Sequence, residues 1–299
     1  MATSTQTQDR PGGGPDAGRD LPPVGGLGQA LGDGWTVARR NLIRIKRVPD
    51  LLVGSVVSPI MFVLLFAYVF GGAIALPGAD GEAVADPQAY RTYLIAGIFA
   101  QTVIFGATIT GSSMAQDLKS GIVDRFRSLP MAPSAVLVGR TTADVVNNVL
   151  TVVIMTLTGL VVGWRITTSV GEAALGYLLL LFFAYCVSWI MAFFGLLVRT
   201  PEIFNNVSFI VIFPLTFVAN TFVPLESFPS VLRAFATWNP VSAVTQAARE
   251  LFGNLQPGAP APTSWPLQNP VLYTLLWGVA LLVVFVPLTV RQYQKAAAR

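Results

Sequence analysis

The sequence predicts an all-α integral membrane protein with six transmembrane helices, cytoplasmic N- and C-termini, and an amphipathic interfacial helix before the first span. Three observations carry this reading. Of 299 residues, 53% are hydrophobic and only 11% charged, against about 25% charged in soluble domains, so a solvated surface cannot be clothed. The few charges are separated by long uncharged intervals. Lys and Arg are also divided very unequally between alternate loops.

The intervals define the spans. Asp50 to Asp80 encloses 29 uncharged residues, Arg91 to Asp117 25, Asp144 to Arg165 20, Glu172 to Arg199 26, Glu202 to Glu226 23, and Glu250 to Arg291 40. The last divides into a proline-rich stretch, Pro257–Pro270, and an apolar run, Val271–Val290. At 1.5 Å rise per residue, about 20 apolar residues cross a hydrocarbon core of roughly 30 Å. All six intervals reach that length. Stretches such as YLLLLFFAYCVSWIMAFFGLLV (Tyr177–Val198) lack the polar face of a soluble core helix. The alternating strands of roughly ten residues that a β-barrel requires are absent from the sequence.

Six spans put both termini on one side. With the termini inside, fifteen of the 19 Lys and Arg are cytoplasmic, and Arg91, Arg165, Arg233 and Arg249 are outside. That asymmetry sets the orientation. It also accounts for the net charge of +4 without any nucleic-acid partner.

Residues 1–26 (including PGGGP and PPVGG) are too poor in apolar side chains to offset the entropy of ordering and are expected to be a disordered cytoplasmic tail. They contain no apolar core of a signal peptide. Residues 27–48 form the interfacial helix. Leu27, Leu31, Trp35, Ala38, Leu42 and Ile45 fall on one helical stripe, with Arg39, Arg40, Arg44, Lys46 and Arg47 opposite, a pattern suited to lying in the cytoplasmic interface. The helix either only sets topology or also meets a cytoplasmic partner. Residues 49–299 form the six-span domain. Its longest external loop, 222–270, carries Pro224, Pro229 and Pro240 and a short helical stretch, Ala243–Leu251, which packs on the membrane surface or dips into it.

The missing residues exclude chemistry. The chain has no His and one Cys, so it has no histidine-based catalysis or proton relay and no disulfide framework. No Gly-x-x-x-x-Gly-Lys-Ser/Thr occurs, so no phosphate-cradling loop exists. Neither catalytic nor metal-ligating residues are expected.

Between the second and third spans, residues 115–135 mix Asp117, Lys119, Asp124, Arg125 and Arg127 with Ile122, Val123, Phe126 and Leu129, and Pro130 ends the pattern. Spacing alone reads as a short amphipathic cytoplasmic helix or as a solvated loop of topology charges. Within the spans, Asp144, Asn147 and Asn148 share a face, and Asn205 and Asn206 open the fifth span. Such groups belong against protein or a water-filled cavity. They line a substrate path or a dimer seam, or they join helices by hydrogen bonds. Gly159-x-x-x-Gly163 permits close helix contact, and Pro59, Pro214 and Pro287 are candidate breaks in spans one, five and six.

Three segments carry a resemblance. SGIVDRFRSLPMAPSAVLVGR (Ser120–Arg140), FVPLESFPSVLRAFATWNPVSAVTQAAREL (Phe222–Leu251, with Asn239-Pro240) and RRNLIRIKRVPDLLVGSVVSPIMFVLLFAYVFG (Arg39–Gly71) resemble type-2 ABC exporter permeases, in particular daunorubicin-resistance-type drug permeases. The resemblance covers roughly Leu31 to Arg299. It implies a transport subunit of an efflux pump in the bacterial cytoplasmic membrane, paired as a homodimer and bound to two cytoplasmic ATPase subunits, which hold ATP and Mg. It also implies that Asp117, Lys119, Gly121, Asp124, Arg125, Phe126, Arg127, Leu129 and Pro130 form the ATPase-coupling region. An apolar lining suits hydrophobic drugs, natural products or lipids. Export of a polysaccharide or glycolipid, and ion-coupled transport without ATP, are the alternatives.

Overall fold

The computed structural model describes residues 49–72, 74, 76–77, 83–121, 133–255 and 261–296. The expected tail and interfacial helix, and most of the coupling region, lie outside these residues. Among those described, the fold is helical apart from one two-residue antiparallel pairing, β1 (Leu76–Pro77) with β2 (Ala83–Val84).

Helix α1 (Pro49–Leu64) contains Pro59 and passes into a π-helical turn, Leu65–Phe70. Helix α2 (Pro87–Lys119) starts at the Asp86 cap, whose side chain accepts from the Gln88 amide. Helix α3 (Pro133–Val162) is stopped by Gly163 at φ +102. Helix α4 (Val170–Gly195) opens with a reciprocal capping box between Ser169 and Glu172, which satisfies donors that the first turn would otherwise leave free. Helix α5 (Pro201–Phe217) is capped by Thr200. A 3₁₀ turn, Leu225–Ser227, leads to α6 (Ser230–Trp238), α7 (Pro240–Phe252), α8 (Trp265–Gln268) and α9 (Pro270–Ala296).

Helices α2 and α4 form the centre, and their contact is the most extensive in the fold. Backbone approaches backbone where they cross: a Cβ on Gly195 would strike the backbone of Gly111, and one on Gly111 the Met191 carbonyl and the Phe204 ring. Helix α3 packs along α2, α9 along α4, and α5 along α2. Gly159 faces Ile95 of α2, while Gly163 ends its helix instead of packing. The two glycines of that motif therefore serve different purposes.

Among the described residues, four helices are long and apolar enough to cross a membrane: Pro87–Lys119, Asp144–Val162, Val170–Gly195 and Pro270–Lys295. Val57–Phe70 and Pro201–Phe217 are shorter apolar helices. The fifth uncharged interval is not one continuous helix. With 17 residues, α5 rises only about 25 Å, and it breaks at Val218, four residues after Pro214. Its outer continuation is an irregular segment, Val218–Val223, packed against α2 and α7. Helix α7 is itself buried against α2, α4 and α9, so the loop expected on the outside reaches into the helical core. Its helix is longer than the sequence pattern indicates, beginning at Pro240 instead of Ala243.

Candidate functional site

Among the described residues, polar side chains concentrate at two places: a seam between α2 and α3, and a joint at the C-terminal end of α5.

The seam follows from two antiparallel helices, with Arg140, Asp144 and Asn148 four positions apart on α3 facing Asp117, Thr110 and Gly106 on α2. Asp117 of α2 meets Arg140 of α3 at 2.9 Å. Thr110 donates a short hydrogen bond to Asp144. Gly106 lies against the Asn148 amide, where any Cβ would collide with Oδ1. The polar partners in these contacts are closed off, with Asp117 8%, Arg140 6%, Asp144 9% and Asn148 1% exposed. Asn147 is also buried, and its carbonyl accepts from Thr151 Oγ1. The Asn148 side chain has no hydrogen-bond partner among the described residues. A carboxylate in an apolar bundle is tolerable when paired or hydrogen-bonded, and here each carboxylate has its own partner.

Of the residues expected in the coupling region, Asp117, Lys119 and Gly121 are described; Asp124, Arg125, Phe126, Arg127, Leu129 and Pro130 lie outside the described residues. Gly121 has φ +67, the left-handed geometry that ends a helix at low cost, and its amide donates to the Leu118 carbonyl at 3.2 Å. It turns the chain out of α2 where the expected coupling region begins. Asp117 is buried and paired with Arg140. Lys119 is half-exposed and reaches Glu202, at the start of α5, at 3.7 Å.

Asn205 and Asn206 occupy a different environment from Asp144, Asn147 and Asn148. Only Pro201, Phe204, Ser208, Ile212 and Thr216 of α5 are buried, a narrow stripe one side chain wide. Asn205 and Asn206 are exposed on the rest of the helix. The five polar residues singled out in the sequence thus divide into a buried set on α3 and an outward set on α5.

The joint at the C-terminal end of α5 is not legible as a site in the sequence. Val218 to Phe222 leaves the helical ladder, so its carbonyls need other donors. Asn239 Nδ2 donates to the carbonyls of Leu215 (2.7 Å) and Val218 (3.2 Å), while its Oδ1 accepts from the Val241 amide and caps α7. Tyr93 Oη donates to the Asn220 carbonyl at 2.9 Å and Tyr90 Oη to that of Phe222 at 3.2 Å. Arg249, 1% exposed, donates to the carbonyls of Asn220 (2.6 Å), Thr221 (3.2 Å) and Tyr93 (3.1 Å). Its guanidinium sits 3.5 Å from the centre of the Tyr93 ring. Gly97 makes room, since a Cβ there would strike the Thr221 backbone.

The other end of α7 is pinned as firmly. Gly253, at φ +69, ends the helix. Thr167 Oγ1 donates to the Gly253 carbonyl at 2.7 Å and Thr168 Oγ1 to that of Leu251 at 2.6 Å. The buried Trp164 indole donates to Asn254 Oδ1 at 2.6 Å. Phe99, Trp164, Tyr177 and Phe252 pack ring on ring around this point. The sequence signals are present in Tyr90-x-x-Tyr93 and in an arginine nine residues after Asn-Pro. Neither spacing reveals that the carbonyls between them need donors.

Comparison with known proteins agrees with this architecture. The profile of the ABC-2 type transporter family matches residues 33–252. The daunorubicin resistance ABC transporter permease protein DrrB1 of Streptomyces coeruleorubidus is 32% identical over 259 residues, covering 87% of this chain and 85% of that protein. The doxorubicin resistance ABC transporter permease protein DrrB of Mycobacterium tuberculosis is 27% identical over 256 residues, 84% of each. A putative transport permease, ycf38, of Pyropia yezoensis is 22% identical over 219 residues, 72% of each. A profile match spanning most of the helical bundle, with similarity nearly end to end, makes this chain a member of the ABC-2 type transporter family.

Proposed function

We propose that the chain is the membrane-spanning subunit of an ATP-driven exporter that moves hydrophobic or amphipathic drugs out across the bacterial cytoplasmic membrane. The observation that carries this reading is the 32% identity over 87% of the chain to a daunorubicin resistance permease. Long apolar helices and the lack of any phosphate-binding loop in the sequence support it. ATP and Mg are held by a separate ATPase subunit, which the family implies. The chain contributes the passage and the surface on which that ATPase acts.

The finer assignments belong to the same reading. Six spans, formed by α1 and α5 as well as the four longer helices, and cytoplasmic termini are supported by the fifteen-to-four division of Lys and Arg. A tail at 1–26, an interfacial helix at 27–48 and a permease domain at 49–299 follow from the sequence pattern. Asp124, Arg125 and Arg127 are the polar contacts to the ATPase, on a segment whose base is held by Asp117 and Arg140. Two permease copies assemble with two ATPase subunits. Exposed Asn205 and Asn206 then line the substrate path or the seam between copies, and Asp144, Asn147 and Asn148 support the α2–α3 packing beneath it.

The test is co-purification with the ATPase and doxorubicin efflux in proteoliposomes. Arg125→Glu combined with Arg127→Glu should abolish ATP-dependent efflux and weaken co-purification. Intact assembly and efflux in that variant would remove the coupling assignment. A wild-type complex that hydrolyses ATP but moves no doxorubicin would remove the drug reading.

A further inference from the structure

We propose that Arg249 is a positioning residue that locks the outer, unwound end of α5 and the external helix α7 onto α2, so that movement of α2 is delivered to the outer mouth of the pathway. The inference goes beyond the transport reading and rests on it for the direction of the movement.

Arg249 is an unusual cation. It is almost fully buried, and among the described residues no carboxylate lies within ion-pair distance of it. An arginine does not escape such a site by losing its proton. An unpaired buried charge is costly unless dipoles replace the lost water. Three carbonyls and one ring face do so here, and they come from two elements other than its own. The Tyr93 carbonyl and ring belong to α2. The Asn220 and Thr221 carbonyls belong to the segment that continues α5. The negative end of the α5 dipole points into the same cluster. One side chain on α7 therefore closes a three-way joint, and displacing α2 without the other two elements would strand the charge.

The position of the joint gives it consequence. With 33 residues, α2 is about 50 Å long. Asp117 and Lys119 stand at its inner end beside the coupling region. Tyr90, Tyr93 and Gly97 stand at its outer end within the joint. Between them α2 is held by the Gly111–Gly195 crossing with α4, a close contact about which a rigid helix can tilt. An inward or outward swing at the coupling end moves the outer end oppositely, and Arg249 makes α5 and α7 follow. Arginine is needed for its planar fork, which reaches several carbonyls at once; a lysine head can serve only some of them.

The experiment uses the assembled permease–ATPase complex in proteoliposomes, with Ala219→Cys as a reporter. Ala219 is fully buried within the joint, and the native Cys186 is buried as well. Doxorubicin efflux per ATP hydrolysed and labelling of the introduced thiol by a membrane-impermeant maleimide are read with and without ATP. In R249M, efflux per ATP should fall about tenfold, a typical size for coupling between sites, while hydrolysis continues and labelling no longer responds to ATP. R249K should restore part of both. Wild-type efflux per ATP and wild-type labelling in assembled R249M would overturn the proposal. If R249M does not insert, R249K carries the test, and unchanged efflux per ATP there overturns it. Failure of both to assemble would assign Arg249 to folding alone and overturn it too. The labelling response does not depend on the substrate, so a wrong drug class would leave it intact.

Discussion

The Arg140 guanidinium meets the Asp117 carboxylate at 2.9 Å, with 7% and 12% of the two side chains exposed. The two residues stand on either side of residues 122–132, one near the end of α2 and the other in the first turns of α3. The pair ties the end of α2 to the beginning of α3.

Removing either member breaks a buried ion pair, which typically costs about 3–5 kcal/mol. Arg140→Ala and Asp117→Ala should each cause a large loss of thermal stability in detergent. The double variant Asp117→Leu with Arg140→Met should lose much less, because neither member of the pair is left without the other. Lys119→Ala is the comparison. Its partner Glu202 lies at 3.7 Å and both groups are largely open to solvent, so the loss should be small. Equal effects at Arg140 and Lys119 would contradict the burial argument.

The glycines offer a second contrast. Gly111 and Gly195 bring α2 and α4 together backbone to backbone, whereas nothing lies within 4 Å of a Cβ placed on Gly171, in the first turn of α4. Gly111→Ala and Gly195→Ala should destabilise by about 1–3 kcal/mol through overpacking, and both should slow transport by spreading the central crossing. Gly171→Ala should be neutral or stabilising by up to about 1 kcal/mol. Thermal unfolding followed by intrinsic fluorescence would rank the three. A ranking with Gly171→Ala as the worst would refute the assignment.

Charge-free intervals locate every helix that is long and apolar enough to span, because hydrocarbon length and helix rise leave little freedom. The fifth interval has the length of a full span, yet it holds a 17-residue helix followed by irregular backbone. Counting charges registers apolarity and cannot see where hydrogen bonding changes hands. That change depends on Asn239, Tyr93 and Arg249, which lie 24, 127 and 29 positions from the carbonyls they serve. The polar face of Asp144, Asn147 and Asn148 is visible as a helical period, but its partner helix is not. Thr110 and Gly106 are ordinary membrane residues until the antiparallel register of α2 and α3 brings them opposite.

Asn239 performs two separable tasks, and two substitutions divide them. Asn239→Asp keeps the oxygen that caps α7 but replaces the donor to Leu215 and Val218 with a carboxylate facing their carbonyls. Asn239→Ser keeps a cap and introduces no charge. The aspartate variant should therefore be the less stable, since an unmet buried acceptor costs about 1–3 kcal/mol and a charged neighbour more. Differential scanning fluorimetry across pH would sharpen the result. Protonating the aspartate at low pH supplies a donor again, so its deficit relative to the serine variant should shrink as pH falls. A deficit that is constant with pH would rule out the donor role.

Asn205 and Asn206 make a prediction about assembly. Asn206 lies on α5 nearly opposite the buried stripe of Phe204, Ser208 and Ile212, so the described residues do not cover it. An amide facing hydrocarbon is costly and is expected to meet protein or enclosed water. In a two-fold dimer, residues near the axis meet their own copies. Asn206→Cys, and to a lesser degree Asn205→Cys, should form a self-disulfide in native membranes under mild oxidation, visible as a dimer on non-reducing gels. Val283→Cys on α9, where Val283 is 68% exposed, is the lipid-facing comparison and should remain monomeric. Native Cys186 is fully buried and should give no background. Cross-linking at Val283 with none at Asn205 or Asn206 would place the second copy against α9 and withdraw α5 from the seam.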